Sequence, residues 1–225
     1  MVALSQNNTP SSNRSREAIK RISPKLATEL LENGLDFGSP IFIRIFKESK
    51  EFELWVERND TFRLFKNYDI CTFGQGTLGP KTQLGDGQAP EGFYYVRPKQ
   101  LNPLSTFHLS FNLGYPNSYD RIHSRTGSAL MVHGDSVSIG CYAMTDPVIE
   151  EIYTLADAAF RNGQRFFRVH IFPFRMNQEN MERHINSKWI EFWRNLREGY
   201  DFFEESFKPP NVVVQKSRYV FEFSK

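Results

Sequence analysis

After Pro40 the chain changes from a helical to an alternating rhythm, and this limits its possible folds more than any other feature. Successive side chains of a strand point to opposite faces, so Ile41, Ile43 and Ile45 share one side of an extended segment and Phe42, Arg44 and Phe46 the other. Phe52, Leu54 and Val56 resume the pattern beyond the polar break at Glu48-Ser-Lys, which predicts a hairpin. Asn59-Asp60 marks the next turn, and Phe62, Leu64, Lys66, Tyr68 and Ile70 form a third strand. The expected product is an antiparallel sheet with one face buried and aromatic bulk on both. The fold class expected for the whole chain is mainly β with flanking helices, α+β.

On the N-terminal side, residues 1–15 are rich in Ser, Asn and Thr without periodicity and read as a disordered leader. Ile19, Ile22, Leu26, Leu30 and Leu31 then fall at helical spacing up to Asn33-Gly34, and Pro24 is expected to divide this stretch, with Ser23 capping a second short helix. Residues 74–92 form one long loop that holds six of the chain's 14 glycines and two of its 12 prolines. The loop matches no phosphate-binding fingerprint and reads as turn structure, with Lys81 able to face a cleft. Residues 93–96 form a strand, and Phe107, Leu109 and Phe111 another, with His108 on its opposite face in a structural role. Val148, Ile149, Ile152, Leu155, Ala156, Ala159 and Phe160 trace a helical stripe that Asn162-Gly163 ends. A closing strand follows at Phe167, Val169 and Ile171. Residues 177–200 are helical again, with Gly199 as the stop, and Val212 to Val214 with Tyr219 to Phe223 make a final hairpin. The expected division is a leader with N-terminal helices (1–36), a main domain (37–175), and C-terminal helices with a hairpin packed on it (176–225).

With 225 residues, 40% hydrophobic and 21 of them Phe, the chain has enough apolar material to bury a core without metals or disulfides. A net charge of +2 without a Lys/Arg block argues against nucleic acid as a partner. No apolar run is long enough to cross a membrane, and the N-terminus has no basic-then-apolar secretion signal. Two cysteines, Cys71 and Cys141, are too few for a disulfide framework; Cys141 is expected to be a free thiol and Cys71 a buried strand residue. Met181, Glu182 and His184 share a helix but lack the spacing of a metal box, so neither metal nor cofactor is expected.

Chemistry concentrates in residues 130–144, Leu-Met-Val-His-Gly-Asp-Ser-Val-Ser-Ile-Gly-Cys-Tyr-Ala-Met. Here a thiol at a glycine-led turn lies eight positions after a histidine that ends an apolar strand. Such a thiol can be exposed, with neighbouring backbone N–H groups free for an oxyanion, and an imidazole beside it can take its proton. Each feature alone is ordinary: a lone cysteine is most often a small buried apolar residue, and a lone histidine at a strand end is most often merely hydrogen-bonded. The following helix, starting at Asp146-Pro147, could lower the thiol pKa if its N-terminus points at the sulfur.

Taken together, His133-Gly134 and Ser138-Ile-Gly-Cys-Tyr-Ala-Met resemble the signature of the YkuD-type L,D-transpeptidase catalytic domain, in the short form of its YafK-like branch. Gly38-Ser-Pro-Ile-Phe-Ile-Arg-Ile-Phe-Lys-Glu, Ala89-Pro-Glu-Gly-Phe-Tyr, Phe111-Asn-Leu-Gly-Tyr-Pro-Asn-Ser-Tyr-Asp-Arg and Phe172-Pro-Phe-Arg-Met extend the likeness over nearly everything after Phe37. The resemblance implies a YkuD-like β-sandwich or barrel with Cys141 as nucleophile, His133 as base and the N–H groups of Ile139, Gly140 and Cys141 as oxyanion donors. Gly134, Ser138, Tyr142, Arg121 and Tyr119 are candidate supporting or substrate-binding residues. His123, eighteen positions before Cys141, is the alternative base. Ile139 stands where most of the wider family has a histidine.

The implied substrates are peptidoglycan peptide stems. The YafK-like branch implies hydrolysis of the bond between diaminopimelate and the C-terminal lysine of an outer-membrane lipoprotein; the wider family implies transpeptidation. Both imply a periplasmic protein whose signal peptide has been removed. A wall-binding module that has lost activity is the non-enzymatic reading. It would leave Cys141 inert, whereas a reactive thiolate would alkylate well below pH ~8.5, the value of an unperturbed thiol.

Overall fold

The computed structural model describes residues 9–222. Helix α1 (Asn13–Glu32) precedes three strands joined by tight turns, β1 (Ile41–Phe46), β2 (Glu51–Arg58) and β3 (Thr61–Asp69). A loop-rich stretch carries β4 (Thr72–Phe73), β5 (Gly92–Val96), β6 (Leu101–Asn102) and β7 (Ser110–Asn112), and the short helix α2 (Ser118–Ile122) leads to β8 (Met131–His133) and β9 (Tyr142–Ala143). Helix α3 (Asp146–Arg161) returns the chain to β10 (Phe167–Phe172). The C-terminal part consists of α4 (Gln178–Arg183), α5 (Ile190–Ser206) and the hairpin β11 (Asn211–Gln215) and β12 (Arg218–Glu222).

Two five-stranded sheets result, ordered β3-β2-β1-β10-β5 and β4-β9-β8-β7-β6, and the terminal hairpin forms a small third sheet. Each large sheet contains a single parallel contact, β1 with β10 in one and β8 with β9 in the other. Their facing sides share one core. Ile41, Ile43 and Ile45 from the first sheet and Phe111, Val132 and Tyr142 from the second join the apolar stripe of α3 and Leu26 and Leu30 of α1. The α+β architecture read from the sequence is therefore the one observed.

One expectation about the first sheet needs correction: β1 is buried on both faces. The Phe42/Phe46 side packs against the C-terminal elements, where Phe46, Phe93 and Phe172 meet Trp193, Leu196, Tyr200 and Tyr219, and Phe42 and Trp55 meet Phe203. The aromatic bulk on the second face is thus core, sealed by α5. Gly199 does not end that helix, which runs on to Ser206 and stops at Phe207 in the left-handed conformation. A Cβ at Gly199 would lie 2.4 Å from Phe221 and 2.6 Å from Phe93, so the glycine serves close approach between helix, hairpin and sheet.

The N-terminal region also differs. Residues 1–8 of the expected leader, and Phe223 of the final hairpin, lie outside the described residues. Thr9 is buried and donates to Asp157 Oδ1, while Ser12 caps α1 by accepting from Ser15 N–H at 3.1 Å. Pro24 does not divide the helix. Ser23 hydrogen-bonds back to Ile19 O at 2.6 Å instead of capping a new helix, and ion pairs from Arg21 to Glu150 and Lys25 to Glu151 fasten both sides of the proline to α3. Tertiary anchoring on α3 therefore outweighs the local helix-breaking tendency. Cys71 is half-buried and follows β3 rather than lying within a strand; its N–H donates to Ala143 O.

The long glycine- and proline-rich loop is tied down from beneath by a buried polar cluster. The Lys47 ammonium, at the end of β1, donates to Gly79 O at 2.7 Å, Ala89 O at 3.1 Å and Glu91 Oε1 at 3.0 Å. Glu91 also accepts from Gly79 N–H and from Trp193 Nε1–H of α5, and both charged side chains are fully buried. Three distant parts of the chain are fixed together by groups that have no water to fall back on. Lys47→Met, which leaves the Glu91 carboxylate buried without its cation, is expected to cost about 3–5 kcal/mol of unfolding free energy. Urea denaturation measures this, and a loss below about 1 kcal/mol would show that the cluster does not organise the fold.

Candidate active site

The short strands β8 and β9 run parallel, with Val132 opposite Tyr142 and His133 opposite Ala143. Cys141 immediately precedes β9, and the Met131 N–H donates to its sulfur at 3.3 Å. Met131 and His133 lie on the same face of β8 by the alternation of strand side chains. The imidazole and the thiol therefore project from the same side of neighbouring strands, and both line one cavity of about 550 Å³. Cys141 is only half-buried there and is not disulfide-bonded.

His133 is 2% exposed and fixed at two points. Phe107 stacks on the ring with centroids 4.7 Å apart, and Nδ1 lies 2.5 Å from Gly134 O. A carbonyl can only accept, so Nδ1 carries the ring proton and Nε2 keeps its lone pair for another acid. Gly134 is required by crowding: a Cβ there would meet Asp146 Oδ1 at 2.5 Å and Phe107 O at 2.9 Å. The thiol donates to Ala129 O at 3.8 Å rather than to the imidazole, so proton transfer to His133 requires the thiol to turn.

The turn carrying the thiol is braced by Ser138, whose hydroxyl donates to Cys141 O at 2.8 Å and accepts from Gly140 N–H at 3.2 Å. Of the three expected oxyanion donors, Gly140 is thus already engaged. Among the described residues, the N–H groups of Ile139 and Cys141 are not given to another group. Ile139, which stands where most of the wider family has a histidine, is 90% exposed and lines the cavity.

Other sequence candidates lie elsewhere. His123 is exposed, stacks on Tyr119 and bonds through Nε2 to Ser217 O at 2.9 Å, facing the C-terminal hairpin and not the thiol cavity. Tyr119 is buried between His123 and Tyr219 under the Arg125 guanidinium, and Arg121 donates to Pro116 O beside a separate crevice at β5 and β11. Tyr142 is core, stacked on Phe73 with its hydroxyl on Pro90 O. His108 bonds Glu150, and His184 bonds Glu48. Burial among Phe42, Phe93 and Phe172 holds His170 far below the ordinary histidine range.

Three lining residues carry more weight than the sequence suggested. Lys81, in the glycine-rich loop, donates to Gln83 O and to Asp86 Oδ1 at 2.6 Å. Burial works to raise the Asp86 carboxyl, but the Lys81 ammonium and the N–H groups of Gln83, Thr82 and Gln88 outweigh it and bring it to about 2. Gly127, with φ +112°, leaves room for the lysine stem, since a Cβ there would lie 2.8 Å from Lys81 Cε. Phe107 was read as a strand residue, yet β7 begins only at Ser110, and Phe107 sits in the preceding bends over His133. Leu84 lies at the mouth, and nothing in its local sequence distinguishes it from an ordinary loop residue.

The electrostatics differ from those of a preformed thiolate. Burial pushes the Cys141 thiol above its ordinary value, and the Met131 N–H and Lys81 charge offset this only in part. The start of α3 is engaged by the loop after His133. Its Asp146 carboxylate accepts from Asp135 N–H, and Thr145 N–H donates to Asp135 O, so the first turn serves the loop after His133. Burial thus favours the protonated thiol at rest, with an oriented imidazole in the same cavity that can take the proton as attack proceeds.

A half-buried thiol, an oriented imidazole and free backbone donors in one cavity define a site for cysteine acyl transfer. Residues 41–171 match the L,D-transpeptidase catalytic domain family, YkuD. The chain is 48% identical over 183 residues to "Putative L,D-transpeptidase YafK" of Escherichia coli (strain K12), covering 81% of this chain and 74% of that protein. Similar solved structures are the helical cell shape determining protein Pgp2 (K307A mutant) of Campylobacter jejuni and Bd1075 of Bdellovibrio bacteriovorus. The first has a TM-score of 0.48 and 17% identity, covering 86% of this chain and 65% of that one; the second has 0.44 and 21%, covering 79% and 78%. The chain belongs to the YkuD L,D-transpeptidase catalytic domain family and is a cysteine-dependent cell-wall enzyme.

Alkylation of Cys141 followed against pH is expected to show its midpoint above ~8.5, the ordinary thiol value. Lys81→Met should move the midpoint higher, because removing a nearby cation disfavours the thiolate. A midpoint below pH 7 would instead reveal a preformed thiolate–imidazolium pair.

Proposed function

We propose that the protein is a periplasmic amidase that cuts the bond between peptidoglycan diaminopimelate and the C-terminal lysine of an outer-membrane lipoprotein. The observation that carries the reading is that the half-buried Cys141 and the buried His133, oriented by its Nδ1 contact to Gly134 O, line one cavity, within a motif resembling the YafK-like branch. In this scheme His133 Nε2 takes the Cys141 proton as sulfur attacks the diaminopimelate carbonyl. The tetrahedral oxyanion is met by the N–H groups of Ile139 and Cys141, each such donor being worth about 3 kcal/mol of barrier. The C–N bond then breaks, the imidazolium gives its proton to the departing lysine amine, and a thioester remains on Cys141. Water, deprotonated by the same imidazole, hydrolyses the thioester and restores the thiol.

Chemistry up to the thioester is common to hydrolysis and transpeptidation. An amine arriving in place of water would make the enzyme a transpeptidase, and the description of the Escherichia coli relative as an L,D-transpeptidase favours that second reading. No helix among the described residues is long and apolar enough to cross a membrane.

Incubation with wall fragments bearing covalently attached lipoprotein, followed by mass spectrometry, separates the two outcomes. Free lipoprotein with an intact C-terminal lysine is expected, and new peptide cross-links without release would decide for transpeptidation. Cys141→Ala should abolish the reaction, and His133→Asn should lower kcat by about 10²–10⁴. Full activity in either variant would refute these roles.

A further inference from the structure

Eleven large apolar side chains among the described residues are well exposed, and four of them, Leu84, Phe107, Val137 and Ile139, line the Cys141 cavity. Leu84 is 76% exposed, Val137 59% and Ile139 90%. They come from three separate loops: Leu84 from the glycine-rich loop, Phe107 from the bends before β7, and Val137 and Ile139 from the turn before Cys141. Scattered exposed apolar residues need no explanation, but a ring of them converging around one opening does. Burying such side chains in the core would release free energy, so their exposure here has to serve a contact made at the cavity mouth.

The rest of the lining narrows what that contact is. Lys81, itself paired with the Asp86 carboxylate, is the one lysine or arginine among the described lining residues, and no aspartate or glutamate is among them. A diaminopimelate stem brings carboxylates and an amine, and the Lys81 region suits its anionic groups. It offers little to four large apolar side chains. On the amidase reading the other half of the scissile amide is a polypeptide chain, and its residues next to the attached lysine would lie against these exposed side chains.

We propose that Leu84, Val137 and Ile139 form a recognition rim for the leaving protein chain, binding apolar side chains near its attached lysine, and that this rim makes the enzyme selective for protein-linked over bare wall peptides. This rests on the reading of Cys141 as an acyl-transfer nucleophile acting on a protein-bearing stem. Leu84 and Val137 serve the selectivity through their side chains alone. Ile139 contributes both a rim side chain and, in the mechanism above, a backbone donor.

The test compares two substrates of the full chain: wall fragments carrying the whole protein, and the same stem joined to a single lysine. For the Leu84→Asn/Val137→Asn double variant, the ratio of kcat/KM for protein-linked over lysine-linked substrate should fall about tenfold, chiefly through a raised KM for the former. The apolar replacement Leu84→Met/Val137→Ile should keep the ratio within about twofold of the wild type. Both positions are exposed, so the variants should fold, and retained alkylation of Cys141 checks that they do. If the wild type cleaves both substrates and the Asn variant leaves the ratio unchanged, the rim does not read the protein. If the wild type cleaves neither, the amidase reading fails and takes the rim with it.

Discussion

The candidate site depends on a parallel pairing made across an unusually short connection. Neighbouring parallel strands ordinarily need a crossover of a dozen or more residues, yet β8 and β9 are joined by residues 134–141 alone. The strands are correspondingly short, and the connection is held by tight local bonds: Asp135 at φ +64°, Asp135 O accepting from Thr145 N–H, and Asp146 Oδ1 accepting from Asp135 N–H. This explains why histidine and cysteine can be only eight positions apart and still stand on the same face of adjacent strands. A longer loop would tolerate sequence drift between them, but here the crowding at Gly134 and the Ser138 brace are direct consequences of the short span.

A second constraint fixes what surrounds that face. Lys47, Glu91 and Trp193 join the end of β1, the glycine-rich loop and α5 in one buried cluster, and the loop carries Lys81 and Leu84 to the cavity. The C-terminal elements therefore act on the site from a distance, by closing the second face of the first sheet and holding the loop that forms one wall. Such a cluster is not a cheap source of stability, since burying charges costs nearly as much as their pairing returns. Its value lies in geometry: Gly79 and Ala89, at either side of the loop, have their carbonyls fixed to the same ammonium.

What could be read from the sequence follows the range of the interactions involved. The alternation through β1 to β3, the stripe of α3 and the closing strand β10 depend on patterns within a few residues, and these elements stand where the patterns predict them. Pro24 misled because its cost is local while the compensation comes from α3, some 130 positions away in the pair Arg21–Glu150. Gly199 misled for the same reason: it resembles a helix stop but answers to Phe221 and Phe93 on other elements. At the site, residues 130–144 are contiguous and could be read directly. Phe107, Lys81 and Leu84 reach the cavity only through tertiary placement of their loops, and Arg121 and Tyr119 were drawn to it by sequence proximity that the fold does not honour.

The burial that raises the Cys141 thiol looks at first like an obstacle to nucleophilic catalysis. It suits a site in which the proposed base, His133, is already oriented. With Nδ1–H committed to Gly134 O, the imidazole can accept at Nε2 and, once charged, still satisfy both nitrogens. A thiolate stabilised in advance would be a weaker nucleophile and a better leaving group, favouring collapse of the tetrahedral intermediate back to substrate. In the proposed mechanism, keeping the proton on sulfur until attack avoids that penalty. The Lys81–Asp86 pair fits the same logic. The Lys81 charge only partly offsets the burial of the sulfur, so a substrate carboxylate arriving beside it would meet the cation without a preformed thiolate competing for it.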